Sequence, residues 1–237
     1  NRFMTLNPGN NPNKRGSYQD KYNAFFYTGY LLPERDKGFV AVGYQPNDFS
    51  KDATSSWQYL PGLRRVRQAP EVGFDYPVPP AGLRTVDDDY VFNGSPERYT
   101  WKLVGKKEIY LPYNDYRLGS DKVKYKDILQ PAHINKDLAR YELHRVWIVD
   151  STTKPNTTHL YKRRTYYLDQ DSWGMVLVDV YDRRDQLWRW QEQHPIMYYD
   201  RPFPGAAGET IYDLQSNRYL SQAFSNEHPE FSTEDFK

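Results

Sequence analysis

Hydrophobic and polar residues alternate along much of this chain with the period of two that is typical of half-buried β-strands. The clearest case is the run 98–103, in which Tyr99, Trp101 and Leu103 fall on one face and polar residues on the other. Turn-forming residues separate the successive runs. The pattern predicts nine strands, at 24–32, 38–44, 56–68, 98–111, 138–151, 159–168, 173–182, 186–193 and 210–214.

Two insertions interrupt this succession of strands. Residues 69–97 contain five prolines, and residues 112–137 contain two prolines and one short helical pattern at 121–129. Loops of this length in a compact domain are usually functional or packed over a sheet. We therefore expect a mostly β protein with a curved antiparallel sheet, in which these long loops and short helices act as lids that cross one face or edge.

The same pattern predicts the domain organisation. The first 22 residues are polar and rich in Asn, Pro and Gly, which is typical of an arm or loop. Residues 23–237 are expected to form a single antiparallel β domain, because a chain of this length can bury a core without disulfides or metal. No run of about 18 apolar residues occurs, as a membrane-spanning helix would require.

Aromatic residues are unusually frequent, since Trp 6, Tyr 22 and Phe 11 together make up 16% of the chain. Disordered chains are poor in aromatics, and aromatics favour strands, so the composition agrees with a β fold. The net charge of +1 gives no long-range attraction for nucleic acid. The absence of cysteine excludes disulfides, cysteine ligands for zinc and thiol catalysis.

Motifs that carry enzymatic chemistry are missing from the sequence. It contains neither a Gly-x-Ser-x-Gly elbow nor a glycine-rich phosphate loop. No two of the five histidines are spaced like a zinc-binding pair. Glu142 and His144 share a strand face, but such a pair is more often a structural contact than an acid–base pair. We therefore predict a non-enzymatic protein with no catalytic residue, no cofactor and no bound metal.

Two acidic runs are better explained by structure than by metal binding. The aspartates at 87–89 lack the spacing of a calcium-binding loop, so pairing with the nearby Arg84 or simple solvation is favoured. Residues 169–172 read Asp-Gln-Asp-Ser between two predicted strands. Because Asp and Ser form turns through side-chain bonds to the backbone, this run predicts a hairpin connection.

Arg64, Arg65 and Arg67 form a basic strip on a predicted strand, with Arg65 and Arg67 on one face and Arg64 on the other. Arginine is suited to bidentate phosphate contacts, so the strip is a candidate contact for acidic lipid headgroups or an acidic partner. The alternative is a solvated face whose arginines pair with acidic residues of neighbouring strands.

The aromatic residues of the strand runs are the best candidates for ligand binding. In a closed core they would be packing residues, whereas on a concave sheet face they would line a mostly apolar cavity. The alternation alone leaves both interpretations open. The candidates for a cavity wall are Trp57, Tyr59, Trp101, Trp147 and Trp173.

Several long strings of the chain resemble one bacterial family, a domain of unknown function described as outer-membrane lipoprotein-sorting protein. They occur in order between about residues 57 and 220. The strings are WQYLPGLRRVRQAP (57–70), GLRT (82–85), FNG (92–94), YTWKLVGKKE (99–108), LPYN (111–114), RYELHRVW (140–147), DQDSW (169–173) and YDRRDQLWR (181–189).

This resemblance implies a fold and a location. Family members are exported by Gram-negative bacteria and look like relatives of the periplasmic lipoprotein carrier and its outer-membrane acceptor. Those relatives form a curved half-barrel that holds acyl chains on its concave face beneath helices. The implied location is the periplasm, in association with the outer membrane. Because members are usually longer at the N-terminus, this chain is expected to be the C-terminal part of a longer member.

Three functions follow as hypotheses. The first is a periplasmic carrier or binding protein for a lipid-like hydrophobic ligand, in outer-membrane lipid or lipoprotein trafficking. The alternative is a structural or adaptor protein that partners an inner-membrane export pump or an outer-membrane component, since family members are often encoded beside such pumps. A weaker third hypothesis is a carbohydrate-binding module in which exposed Trp and Tyr stack on sugars. Nucleic acid is not an expected partner.

Overall fold

The computed structural model describes residues 2–6, 21–69, 73–78, 81–200 and 203–227. Contacts divide the chain into two compact units, Asn1–Gly73 (unit 1) and Phe74–Lys237 (unit 2), and each carries one antiparallel sheet. The predicted mostly β, antiparallel fold is confirmed, whereas the single domain over 23–237 stays a prediction. None of the described helices is both long and apolar enough to cross a membrane.

The sheet of unit 1 is a five-stranded meander in which each strand pairs with the next one along the chain. A single 3-10 turn at Glu34–Asp36 lies between its second and third strands. Part of the predicted polar arm is strand, and residues 7–20 of that arm lie outside the described residues. The strands are β1 (Arg2–Leu6), β2 (Tyr22–Gly29), β3 (Val40–Pro46), β4 (Ser55–Leu60) and β5 (Arg65–Gln68).

The prediction of one strand over 56–68 is wrong, because a turn divides it. Pro61–Leu63 form a 3-10 turn, and Arg64 follows with a φ of 48°. Proline lacks the N–H that a sheet ladder needs and its ring fixes φ, so the strand ends at Leu60 and the chain reverses. β4 and β5 consequently pair with each other. Arg64 therefore lies in the turn and not on a strand face.

The sheet of unit 2 is a seven-stranded meander in the order β12-β11-β10-β9-β8-β7-β6. Its edges, β6 and β12, pair with no further described strand, so the sheet is not closed. Bulges such as those at Leu103/Gly105 and His194/Pro195 bend the strands and increase their twist. The strands are β6 (Tyr99–Pro112), β7 (Tyr141–Thr153), β8 (Arg163–Asp169), β9 (Met175–Tyr181), β10 (Leu187–Tyr198), β11 (Phe203–Asp213) and β12 (Arg218–Gln222).

The two long insertions cover opposite faces of the unit 2 sheet, which corrects the expectation of one shared face or edge. Leu177 and Val178 are adjacent in β9 and both are buried, so both faces of the strand are covered. The insertion before β6 packs Val91 on the face of Val178. The insertion after β6 packs Tyr113 on the face of Leu177. Its predicted helix is reduced to one turn, α1 (Tyr125–Ile128).

A buried ion network fastens the first insertion to the sheet. Asp87 and Asp88 are fully buried and pair with Arg164 of β8 at 2.6 and 3.2 Å. Solvation is therefore the wrong role for these two aspartates, and pairing with Arg84 is confirmed only for Asp89, at 3.2 Å. A buried charge must be paired and hydrogen-bonded to be tolerated. Two buried tyrosine hydroxyls complete the network by donating to these carboxylates, those of Tyr99 and Tyr161.

Candidate ligand-binding face

One face of the unit 1 sheet is lined by aromatic and aliphatic side chains. In the register of its strands, Tyr27 lies opposite Val42, and Val42 lies opposite Trp57. Because directly opposed residues and alternate residues along a strand share a face, these positions form one surface. We call it the aromatic face, and its members are Phe25, Tyr27, Val42, Tyr44, Trp57, Tyr59 and Val66.

The aromatic face is open to solvent in the described chain. Val66 is 65% exposed and Val42 is 42% exposed, although both side chains are aliphatic. The ring of Tyr44 lies edge-on to two neighbours, 5.0 Å from Phe25 and 5.5 Å from Trp57 between centroids. Edge-on aromatic pairs stabilise each other beyond the area that they bury. The rings therefore support one another across three strands while their outer surfaces remain accessible.

The structure brings Trp57 and Tyr59 together on the aromatic face, whereas Trp101 lies in unit 2. Trp101 is packed beneath the first insertion, with its ring centroid 5.4 Å from that of Phe92 and 5.7 Å from that of Tyr166. Its indole N–H donates to the carbonyl oxygen of Pro96 at 2.8 Å. Trp101 is partly buried by these contacts, and a place in a cavity wall stays a prediction for it.

Trp147 and Trp173 form a separate aromatic pair in unit 2, at the turn between β8 and β9. Their rings are stacked, with centroids 6.4 Å apart and planes 20° from parallel. The ammonium group of Lys106 lies 3.8 Å from the centroid of the Trp147 ring. Trp173 is 65% exposed and has a φ of 58°, a conformation that is costly for a bulky residue. A ligand-binding role for this pair stays a prediction.

The basic strip lies at the edge of the unit 1 sheet. All four side chains of β5 are exposed, including those of Arg65 and Arg67. Within the described residues, the three arginines of the strip form no ion pair, so the expected pairing with acidic residues of neighbouring strands is not observed there. In the part of the chain that the structure describes, the strip thus presents three exposed guanidinium groups without an ion pair, and Arg65 and Arg67 lie on the face opposite Val66.

A surface pocket of about 460 Å³ lies beside the turn that joins β4 to β5. Its apolar walls include Tyr30 and Phe39, whose ring centroids are 4.9 Å apart, and Arg35 and Asp36 add a charged rim. The volume falls within the range of small-molecule sites. None of the five predicted cavity residues lines this pocket. No local pattern in the sequence marks this pocket, because its walls come from two separate connections, between β2 and β3 and between β4 and β5.

Comparison with known proteins gives one family and one curated relative. The family described as "Protein of unknown function (DUF1329)" matches residues 1–237. An uncharacterized protein of Pseudomonas aeruginosa is 46% identical over 228 residues, which make up 95% of this chain. The same residues cover 49% of the relative, so the chain spans about half the length of the curated protein that it matches.

Two crystal structures have a similar fold. A DUF1329 family protein from Desulfovibrio piger matches with a TM-score of 0.56 and 12% identity, over 87% of this chain and 70% of that protein. A putative outer membrane lipoprotein-sorting protein domain from Vibrio parahaemolyticus matches with a TM-score of 0.54 and 15% identity, over 99% of this chain and 79% of that one. At such identities the likeness concerns the fold alone.

Proposed function

This chain belongs to the DUF1329 family, and we propose that it is a non-enzymatic carrier or binding protein for a lipid-like hydrophobic ligand. The proposal places it in the periplasm, in association with the outer membrane, where it would take part in lipid or lipoprotein trafficking. The observation that carries the proposal is the solvent-exposed aromatic face of unit 1. The name of the Vibrio domain that shares its fold, which refers to lipoprotein sorting, supports the same function.

The physical argument starts from the cost of leaving such a face in water. Burying apolar surface contributes about 25 cal/mol per Å². Contiguous exposed apolar patches on soluble proteins commonly mark interaction sites. Tyrosine joins an apolar ring to a polar tip, so Tyr27, Tyr44 and Tyr59 suit the boundary between an acyl chain and water. Such a surface accepts a flexible apolar ligand without requiring precisely placed polar anchors.

The basic strip supplies charge that fits an amphipathic ligand. Arg65 and Arg67 lie on the edge strand β5, on the face opposite Val66, and Arg64 lies in the turn before it. Guanidinium groups bind phosphate and carboxylate oxygens bidentately. We therefore expect the apolar chain of the ligand to lie along the aromatic face, with an anionic headgroup that passes the β5 edge to reach arginines of the opposite face.

A second candidate function is that of an adaptor for an inner-membrane export pump or an outer-membrane component, and β6 favours it. This edge strand of 14 residues carries exposed apolar side chains at Leu103, Val104 and Tyr110. An unpaired strand edge with exposed apolar residues is a template for a strand of another protein. A partner bound in this way would cover β6 and leave the aromatic face open.

Two matched substitutions test the carrier proposal. Val42→Asp places a charge at the centre of the aromatic face, and Val104→Asp places the same charge on a similarly exposed strand valine of unit 2. Binding of a hydrophobic fluorescent probe, and its displacement by phospholipid extract, is measured for the wild type and both variants. Circular dichroism confirms that each variant is folded.

We expect Val42→Asp to weaken probe and lipid binding by roughly tenfold or more, because a carboxylate must lose water when an acyl chain covers it. Val104→Asp should bind as the wild type does. Absence of lipid-displaceable binding by the wild type, or equal weakening by both substitutions, would contradict the proposal. The adaptor function would then become the leading hypothesis.

A further inference from the structure

Unit 2 contains a cluster of metal-ligating side chains that is distinct from the aromatic face. His144 lies on β7, Asp169 ends β8, and Asp171 lies in the turn that follows. One ligand atom from each of these residues lies within 4.8 Å of the other two. β7 pairs with β8 so that Asp169 lies opposite Val146, which is two residues from His144. The pairing therefore brings together the side chains of His144 and Asp169, which are 25 residues apart in the sequence.

Asp169 is oriented as a ligand before any ion binds. Its Oδ2 accepts hydrogen bonds from the backbone N–H and the hydroxyl of Ser172, at 2.8 and 2.7 Å. Its Oδ1 lies 2.9 Å from Nδ1 of His144. The carboxylate is fully buried, whereas Asp171 is exposed, so the cluster opens to solvent on the side of the turn. These hydrogen bonds also confirm the predicted turn at 169–172.

The charge balance of the cluster favours a cation. Among the described residues, neither Asp169 nor Asp171 forms an ion pair with Lys or Arg, and His144 is the ion-pair partner of Asp169. Glu142 lies 3.5 Å from Nε2 of His144, but its charge is already paired with Arg140 at 3.1 Å, so the excess negative charge belongs to the two aspartates. A buried carboxylate without a permanent cation is unfavourable unless another positive charge compensates it.

Tyr113 fixes the orientation of the proposed histidine ligand. Its ring packs against the imidazole of His144, with centroids 4.1 Å apart.

We propose that His144, Asp169 and Asp171 bind one divalent transition-metal ion of the zinc type, with water completing its coordination. One imidazole and two carboxylates are a ligand set that zinc accepts, at about 2 Å from each ligand atom. Calcium fits poorly, since it takes six to eight oxygen ligands. Ser172 and Glu142 would contact the ligands and not the ion. Ser172 would orient the carboxylate of Asp169, and Glu142 would orient the imidazole of His144 through Nε2.

This site departs from the sequence-based prediction of no bound metal, and the physical reason is visible. The histidine spacing rule detects ligands that lie close along one helix or strand. Here the ligands come from two paired strands and a turn, so no local spacing marks them. The competing arrangement is His144 held by Asp169 and Glu142 alone, with no metal.

The test uses chelator-washed protein, zinc and cobalt as probes, and two matched variants. Asp171→Asn removes the exposed ligand, and Asp121→Asn makes the same change at an exposed aspartate outside the cluster. Zinc content after reloading and desalting is measured by elemental analysis. Affinity is measured by competition with a chromophoric chelator, and Co²⁺ absorption reports the ligand field. His144→Gln, which keeps a hydrogen-bond donor for Asp169, serves as a second variant.

We expect one zinc per chain in the wild type and in Asp121→Asn. Replacing a residue that hydrogen-bonds to a metal ligand typically lowers metal affinity 10–100-fold. Loss of a ligand itself in Asp171→Asn should therefore weaken zinc binding by at least about 100-fold. His144→Gln should also lose the Co²⁺ absorption bands while remaining folded. Failure of the wild type to retain zinc, or equal affinity of Asp171→Asn and Asp121→Asn, would overturn the proposal in favour of the arrangement without metal.

Discussion

Glu209 of β11 is a buried carboxylate with a second acid, Asp89, beside it. Burial raises the pKa of Glu209 to about 7, and the charge of Asp89 adds to this effect, while a hydrogen bond from Gln222 and the charge of Arg84 oppose it. In the unfolded chain the carboxyl titrates near its ordinary value of 4.5. Between these two values the folded state binds the extra proton, so stability falls as the pH rises from about 4.5 to about 7.

Glu209→Gln should remove this pH-dependent loss of stability. At pH 5 the folded wild type holds a protonated Glu209, so the neutral and isosteric Gln should change the free energy of unfolding little. At pH 8 the wild type buries a charged carboxylate, and the variant should be more stable by up to about 3 kcal/mol. Urea unfolding of both proteins at the two pH values measures the difference. An equal effect at pH 5 and pH 8 would show that charge on Glu209 is not the cause.

Individual residues also show where sequence reasoning was limited. Trp57 and Trp101 both occur in alternating runs, and nothing in those runs separates them. Trp101 is partly buried because Phe92, nine residues earlier in an irregular insertion, packs against its ring. In the described part of the chain, Trp57 packs against the ring of Tyr44 on a face whose valines, Val42 and Val66, are exposed. The difference depends on what covers each strand, which alternation cannot specify.

At the scale of elements, the sequence predicted strands well where the alternation was strong. The observed β6 at Tyr99–Pro112 nearly coincides with the predicted 98–111. β11 was predicted only at 210–214 but begins at Phe203, because its first half contains Pro, Gly and Ala, which are weak strand formers. β12 was missed, since its five residues, Arg218–Gln222, are mostly polar. The first half of β11 and the whole of β12 are strands because they pair with neighbouring strands, and not because their residues favour β structure.

β3 depends on a glycine that lets a ring lie close to its backbone. A Cβ on Gly43 would lie 2.5 Å from the ring of Phe26 and 2.6 Å from the carbonyl oxygen of Ser55. Phe26 is the cross-strand partner of Gly43, and it packs on the side opposite the aromatic face. The glycine therefore allows β2, β3 and β4 to pair closely and to present the aromatic face as one surface.

Gly43→Ala should destabilise the unit 1 sheet by about 1–3 kcal/mol, because overpacking forces side chains from their preferred rotamers and shifts the backbone. Gly62→Ala is the matched control, since a Cβ there would meet nothing within 4 Å. The free energy of unfolding, measured in urea, and probe binding to the aromatic face are compared for the two variants. If the two variants are equally stable, close packing at Gly43 does not limit the sheet.

At the scale of the whole chain, the sequence established the fold class but not the division into two units. The predicted antiparallel sheet is present as two sheets, one in each unit. Of the predicted site residues, Trp57, Tyr59, Arg65 and Arg67 belong to the unit 1 sheet, and their role in binding stays a prediction. The surface pocket and the metal cluster were missed, because both are assembled from segments that are distant in sequence.

A carrier function has a consequence for the stability of the whole protein. A ligand that binds only the folded state stabilises it by about 2.7 kcal/mol when its concentration is 100 times the dissociation constant. For a chain of this size that corresponds to a rise in Tm of roughly 5–10 °C. We therefore expect protein purified without detergent to carry lipid that native mass spectrometry detects, and to lose several degrees in Tm when it is delipidated.

Adding back phospholipid should restore the Tm of the delipidated wild type, because the apolar chains again cover the aromatic face. Val42→Asp should co-purify with less lipid and show a smaller rise, whereas Val104→Asp should respond as the wild type does. An adaptor that works through β6 gives a different result, since lipid would leave the Tm of all three proteins unchanged. Thermal unfolding with and without lipid thus separates a protein whose exposed rings hold a ligand from one whose strand edge holds a partner.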